Sequence, residues 1–153
     1  RGGVERDEFV QLEDIFPTVF AMAGITVPEP LAMRLQLDHE VLPGRSLLPL
    51  CRGETVADWR DAAYVESYNN IDSNTPANWA RTVRTAEWRY TMYPGGNGEQ
   101  LFDLVGDPDE QVNRAGDPEF ASVRTHMRDR LLEALIMQDY PHTPRARFAY
   151  GVH

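Results

Sequence analysis

The chain has 153 residues, 42% of them apolar, and a formal net charge of −9 with a pI near 4.8. That length buries one modest core. The acidic balance weighs against a nucleic-acid backbone or an anionic membrane as partner, since either needs a basic face. The single cysteine excludes an intrachain disulfide framework, and no apolar run has the length of a membrane span or the form of a signal peptide.

In chain order, Asp14 is placed to cap a helix whose first turn tolerates Pro17. Ile15, Val19 and Met22, with Phe16, Phe20 and Ala23, form adjoining apolar rows at helical spacing, and Gly24 supplies a left-handed end. Residues 26–61 carry Pro28, Pro30, Pro43 and Pro49 and read as an irregular connector with one short helical turn over Ser46 to Leu50. A connector of that kind leans on another surface.

From Ala62 the pattern changes to strands. Segments 62–68, 80–85, 88–93 and 100–104 are rich in Val, Thr or aromatic residues and are bounded by Gly, Pro or Asn. Thr85 to Trp88 reads as a tight hairpin and Pro94 to Gly98 as a looser one. A last helix opens with Asp117 as N-cap and Pro118 in its first turn, then aligns Phe120, Val123, Met127, Leu131 and Leu135 on one stripe. The predicted fold is α+β: an N-terminal helix and irregular connector, then a four-stranded antiparallel sheet packed by a C-terminal helix. The expected divisions are 1–61, 62–139, and an extended tail over 140–153. The tail, with Tyr140, Phe148 and Tyr150 among prolines and arginines, is expected to wrap onto a parent domain or a second copy.

The densest motif is Leu101-Phe102-Asp103-Leu104-Val105-Gly106-Asp107-Pro108-Asp109-Glu110-Gln111-Val112-Asn113. Further blocks precede it in order: Val10 to Val19 running into Ala23-Gly24-Ile25, Leu42 to Leu50, Gly53-Glu54, Trp59-Arg60-Asp61, Arg81 to Thr85, and Trp88-Arg89-Tyr90. Together they cover residues 8 to 114 and resemble the C-terminal part of sulfatases of the alkaline-phosphatase superfamily, with Phe102 where the family has Tyr. The resemblance implies that the natural N-terminus lies upstream and that these residues close a catalytic domain. It also implies an intact enzyme that cleaves sulfate esters with calcium and a formylglycine made from Cys or Ser.

Those groups have no visible place in this chain. Cys51 lies in Cys51-Arg52-Gly53-Glu54-Thr55, without the proline two residues on or the arginine four residues on that the modification pattern requires, and reads as a small semi-buried residue. Calcium needs about six to eight converging oxygens. Asp107, Asp109 and Glu110 come nearest, but in an EF-hand register from Asp107 the required glycine and final glutamate are Val112 and Pro118. His39, His126, His142 and His153 share no ligand spacing. The chain alone is therefore expected to be inactive, with no catalytic and no metal-binding residue of its own.

The segment between the first two strands joins amides and aromatics in a long loop, and such loops on rigid sheets carry function. The resemblance implies that this edge faces the catalytic pocket, so Tyr68, Asn69, Asn70 and Trp79 are the candidate substrate-binding residues, stacking on a ring and reading hydroxyls. The alternative is a solvated loop whose Asn and Asp satisfy their own backbone. Arg81, Arg84 and Arg89 suggest an oxyanion clamp, or a row paired with Glu66, Glu87 or Asp103. Arg45 is expected to tie the connector to carboxylates or carbonyls of the main domain. All fifteen basic residues are Arg, which suits bidentate anion recognition and equally follows from codon bias.

The implied partners are an N-terminal catalytic domain of the same enzyme and a sulfated small molecule or carbohydrate, with no nucleic acid, no membrane, and a homo-oligomer through the tail as a further option. Two other readings stand: a non-catalytic binding or oligomerisation module, and the same part of a phosphate or phosphonate ester hydrolase.

Overall fold

The computed structural model describes residues 3–25, 44–68, 79–95 and 98–139. The chain divides into two compact units, residues 1–59 with 136–153, and residues 60–135. The connector over 26–43, the tail over 140–153, and His39, His142 and His153 lie outside the described residues.

In the first unit a 3-10 turn, Leu12–Asp14, leads into helix α1, Ile15–Ala23. Pro17 takes the third helical position, where its missing N–H is one of the groups that has no intrahelical partner anyway. Gly24 closes α1 at φ +63, its N–H donating to the Ala21 carbonyl at 3.2 Å and the Ile25 N–H to the Phe20 carbonyl at 3.0 Å.

Asp14 corrects the expectation of a helix cap. It already has helical dihedrals, its side chain caps nothing in α1, and it is fully buried. One carboxylate oxygen accepts the Gln11 N–H and the other the Arg45 N–H, each at 2.7 Å. A buried carboxylate is tolerated only when so engaged.

Thr18 completes a clasp with the downstream segment: its hydroxyl donates to the Asp14 carbonyl at 2.5 Å and accepts the Leu47 N–H at 2.8 Å. Gly44 permits the approach. It sits at φ +83, and a Cβ there would lie 2.4 Å from the Glu13 carbonyl carbon.

Helix α2 spans Leu48–Cys51, one or two residues later than expected, with Pro49 in its first turn and Leu50 buried. The Arg45 guanidinium donates to the Asp58 carbonyl, a partner within the same segment, and lies 5.8 Å from the Trp59 ring centroid. The Trp59 indole N–H donates to the Phe9 carbonyl at 2.9 Å. Along α1, Ile15, Val19 and Met22 are exposed, and Leu12 in the preceding 3-10 turn reaches 86%. The apolar row read from the sequence exists, and its face is uncovered among the described residues.

In the second unit, strands β1 (Ala62–Tyr68), β2 (Trp79–Thr85), β3 (Trp88–Met92) and β4 (Glu99–Asp103) form an antiparallel meander in the order β1-β2-β3-β4. Val83, Tyr90 and Leu101 lie side by side in the ladders and share one face. The predicted stripe of helix α3, Ala121–Asp139, meets that face. Met127 and Leu131 are buried with Val83, Tyr90, Leu101 and Ala115, and Phe120, Val123 and Leu135 pack around them. Burial of each of these large side chains contributes roughly 1.5–3 kcal/mol. Asp117 enters the helix as expected, accepting the Glu119 N–H at 3.0 Å through a 3-10 turn over Pro118–Phe120.

Candidate functional site

The motif over 101–113 proves architectural, residue by residue. Asp103 accepts the Val105 and Gly106 amides at 3.0 and 2.9 Å, turning the chain out of β4. Asp107 accepts the Val112 N–H at 2.8 Å. Asn113 accepts the Leu101 and Ala115 amides at 2.9 and 3.0 Å and donates to the Glu99 carbonyl at 3.1 Å, fastening the returning loop along β4. Glu110, held at φ +55, reaches across the sheet to Arg89, whose Nε lies at 2.5 Å, and to Arg84 at 3.3 Å.

Strand alternation separates the three arginines. Arg84 and Arg89 lie on the face away from α3, and Arg81 lies on the opposite face with Val83. They form no common clamp. Glu66 pairs with Arg81 at 3.2 Å as expected, whereas Arg84 and Arg89 use Glu110 instead of Glu87 or Asp103. The local row of carboxylates hid this, because Glu110 arrives from a distant loop. Arg89 also stacks 4.6 Å from the Phe102 ring centroid and donates to Thr91 at 3.1 Å.

Of the four candidate binding residues, Tyr68 and Trp79 are brought opposite each other as the last pair of the β1–β2 ladder, so the long loop leaves and rejoins the sheet at one end. Trp79 is half-buried. Asn69 and Asn70 lie outside the described residues, as does the rest of the loop over 71–78. Further side chains gather at this end of the sheet. Glu66 and Arg81 pair in register two residues inward, and the Tyr64 hydroxyl donates to Glu66 at 2.6 Å. The signal was present in Tyr64 and Glu66, two apart on one strand and therefore on one face, once β1 is aligned against β2.

Cys51 is exposed at the end of α2, not semi-buried as expected. Among the described residues no three His, Cys, Asp or Glu side chains converge in a manner that could hold a metal ion. Among the described residues no helix is long and apolar enough to cross a membrane.

Residues 1–137 match the family model described as N-sulphoglucosamine sulphohydrolase, C-terminal. The chain is 34% identical to a Delta 4,5-hexuronate-2-O-sulfatase of Bacteroides thetaiotaomicron over 75% of its own length and 21% of that protein. It is 31% identical to Arylsulfatase K of Homo sapiens over 92% of its length and 24% of that protein. Among solved structures it is similar to a 2-O GAG sulfatase, at 31% identity and a TM-score of 0.62 over 84% of this chain and 25% of that one. A phosphonate monoester hydrolase of Agrobacterium radiobacter gives 28% identity and a TM-score of 0.65 over 81% and 24%. The chain thus spans about a fifth to a quarter of the length of the proteins it matches.

Proposed function

The chain belongs to the family of C-terminal domains of N-sulphoglucosamine sulphohydrolase, and from that premise we propose that it is the C-terminal portion of a hydrolase that cleaves sulfate esters. The observation that carries the reading is the match of 1–137 to that family, joined by relatives that are themselves sulfatases. The nucleophile, a formylglycine, and the calcium ion would come from an N-terminal catalytic domain of the same enzyme. When bound, calcium would hold the sulfate oxygens and offset their charge.

The residues of this chain act on binding and on fold closure. The exposed row Leu12, Ile15, Val19 and Met22 is the surface that the catalytic domain would cover. At the end of the sheet where Tyr68 pairs with Trp79, the loop with Asn69 and Asn70 would present one wall of the substrate pocket, its amides reading hydroxyls of a sulfated small molecule or carbohydrate. In domain terms, residues 1–61 would complete the catalytic domain, 62–139 form the C-terminal subdomain, and 140–153 extend beyond it. A second reading, the same part of a phosphonate ester hydrolase, is favoured by the likeness to the Agrobacterium radiobacter enzyme.

The test compares this chain with an N-terminally extended enzyme on an aryl sulfate and an aryl phosphonate, with calcium. Sulfate turnover by the extended form alone supports the proposal, and turnover of the phosphonate alone selects the second reading. Turnover by the short chain overturns the division of labour. For the wall, Trp79→Ala and Asn70→Ala in the extended enzyme are expected to raise KM for the sulfated sugar about tenfold with kcat less affected. Unchanged KM values would remove these residues from recognition.

A further inference from the structure

At the far end of the same sheet an open groove of about 510 Å³ lies between the β2–β3 turn and the first turns of α3. Its size falls in the roughly 300–1,000 Å³ range of small-molecule sites. The groove is separate from the loop end: Ala62 pairs with Thr85 here and Tyr68 with Trp79 there. At roughly 3.3 Å per residue the two ends are about 20 Å apart.

The floor is apolar and fixed. Met127 is 1% exposed, Val123 is half-buried, and Trp88 is half-buried with its ring centroid 5.6 Å from that of Phe120. The rim is polar and unspent: among the described residues the Glu87 carboxylate, the Ser122 hydroxyl and the His126 imidazole make no side-chain hydrogen bond. Arg130 enters from α3 and is held at 2.5 Å by Asp61, at the entry to β1.

An aromatic and aliphatic floor with a ring of carboxylate, hydroxyl, imidazole and guanidinium matches one chemistry well. A pyranose ring presents C–H groups on its faces and hydroxyls around its edge. The charges narrow the choice further, since Asp61 and Glu87 outnumber Arg130 and would repel a sulfate or a uronate carboxylate.

We infer that this groove is a second saccharide subsite, taking a hexose-type ring that bears no sulfate and lying about 20 Å from the loop end of the sheet. It rests on the proposed sulfatase reading only for the choice of a sugar as ligand. In an enzyme acting on a polymer it would hold an unmodified unit of the chain while a sulfated unit is presented elsewhere.

The experiment is a titration of the isotope-labelled chain with N-acetylglucosamine and with its 6-sulfate, followed by NMR. Saturable shifts are expected at the Trp88 indole N–H and at the amides of Glu87 and Val123, with millimolar affinity and about fivefold weaker binding of the 6-sulfate. Ser122→Trp, on an exposed turn of α3, should fill the groove and abolish the shifts while the sheet resonances stay in place. Glu87→Ala should weaken binding severalfold. No saturation up to about 50 mM, shifts that survive Ser122→Trp, or equal affinity for the 6-sulfate would overturn the inference. Turnover plays no part in this readout, so a parent enzyme shown to spare sulfate esters would leave the result standing, and an active sulfatase whose short chain ignores the sugar would remove the subsite alone.

Discussion

Arg84 on β2 and Arg89 on β3 stand directly opposite each other in the ladder, two like charges on one face of the sheet. Such a pair is repulsive by itself. Glu110 meets both guanidiniums from the 104–113 loop, and its backbone takes a left-handed conformation at φ +55 to do so. The acidic motif therefore neutralises a charge pair that the strand sequence creates.

Glu110→Ala should destabilise the second unit by about 1–2 kcal/mol, a figure already reduced for the partial exposure of the three groups. Glu110→Gly should cost less, because glycine relieves the left-handed backbone. Adding Arg84→Ala to Glu110→Ala should restore part of the loss by removing one of the facing charges. Urea unfolding of these three variants and of Arg84→Ala alone decides it, and a double mutant no more stable than Glu110→Ala would count against the bridge.

Gly44→Ala should cost about 2 kcal/mol or more in the first unit, since the new Cβ collides with the Glu13–Asp14 peptide and the φ of +83 is itself unfavourable. Asp14→Ala should cost about 1–3 kcal/mol by stranding the Gln11 and Arg45 amides. The two losses should be less than additive, as both open one clasp. Amide exchange at Arg45 and Leu47 reports it directly.

Tyr90 is fully buried, and among the described residues no group meets its hydroxyl in good hydrogen-bond geometry, the Glu99 carboxylate being the neighbour it feels. Burial first, then the negative charge of Glu99, pushes its ionisation up to about 12. With the folded value raised above the ordinary phenol value of about 10, the native state retains a proton that the unfolded chain releases. Its contribution to stability is complete below pH 10 and is lost as the pH rises towards 12. Tyr90→Phe should be neutral or stabilising by up to about 1 kcal/mol and should flatten that alkaline decline, as followed by circular dichroism.

Asp61 is held below the usual carboxylate range by its hydrogen bond from Arg130. Here the folded value is depressed, so the pair stabilises above the ordinary Asp value of about 3.9 and the contribution fades as the pH falls through the lowered one. Asp61 is 79% exposed on its side chain, so the effect on overall stability is small. Its carboxyl carbon shift should titrate to acid of the ordinary range and return to it in Arg130→Gln. A titration unaltered by that substitution would dissociate the two residues.

Periodicity made the second unit legible. The four strands and the stripe Val123, Met127, Leu131 and Leu135 follow from apolar spacing and turn residues, because each element is local and one-sided. Boundaries slipped by one residue where pairing decides: Trp79 joins β2 because Tyr68 stands opposite it. Asp14 reads locally as a cap, and only the return of Arg45 shows where its second oxygen goes. The partner of Arg84 and Arg89 was hidden for the same reason. The groove at Trp88 has no linear signature, since its lining comes from three separate segments.

The clasp at Asp14 and Thr18 has a kinetic consequence. Its hydrogen bonds join residues 29 and 31 apart in sequence, and the Trp59 bond to Phe9 spans 50, whereas the β2–β3 hairpin closes through a tight turn. Closing long chain segments is slower than zipping neighbouring strands. In a refolding time course the β2–β3 amides should become protected first, and the amides of Arg45 and Leu47 should be among the last to stop exchanging with solvent.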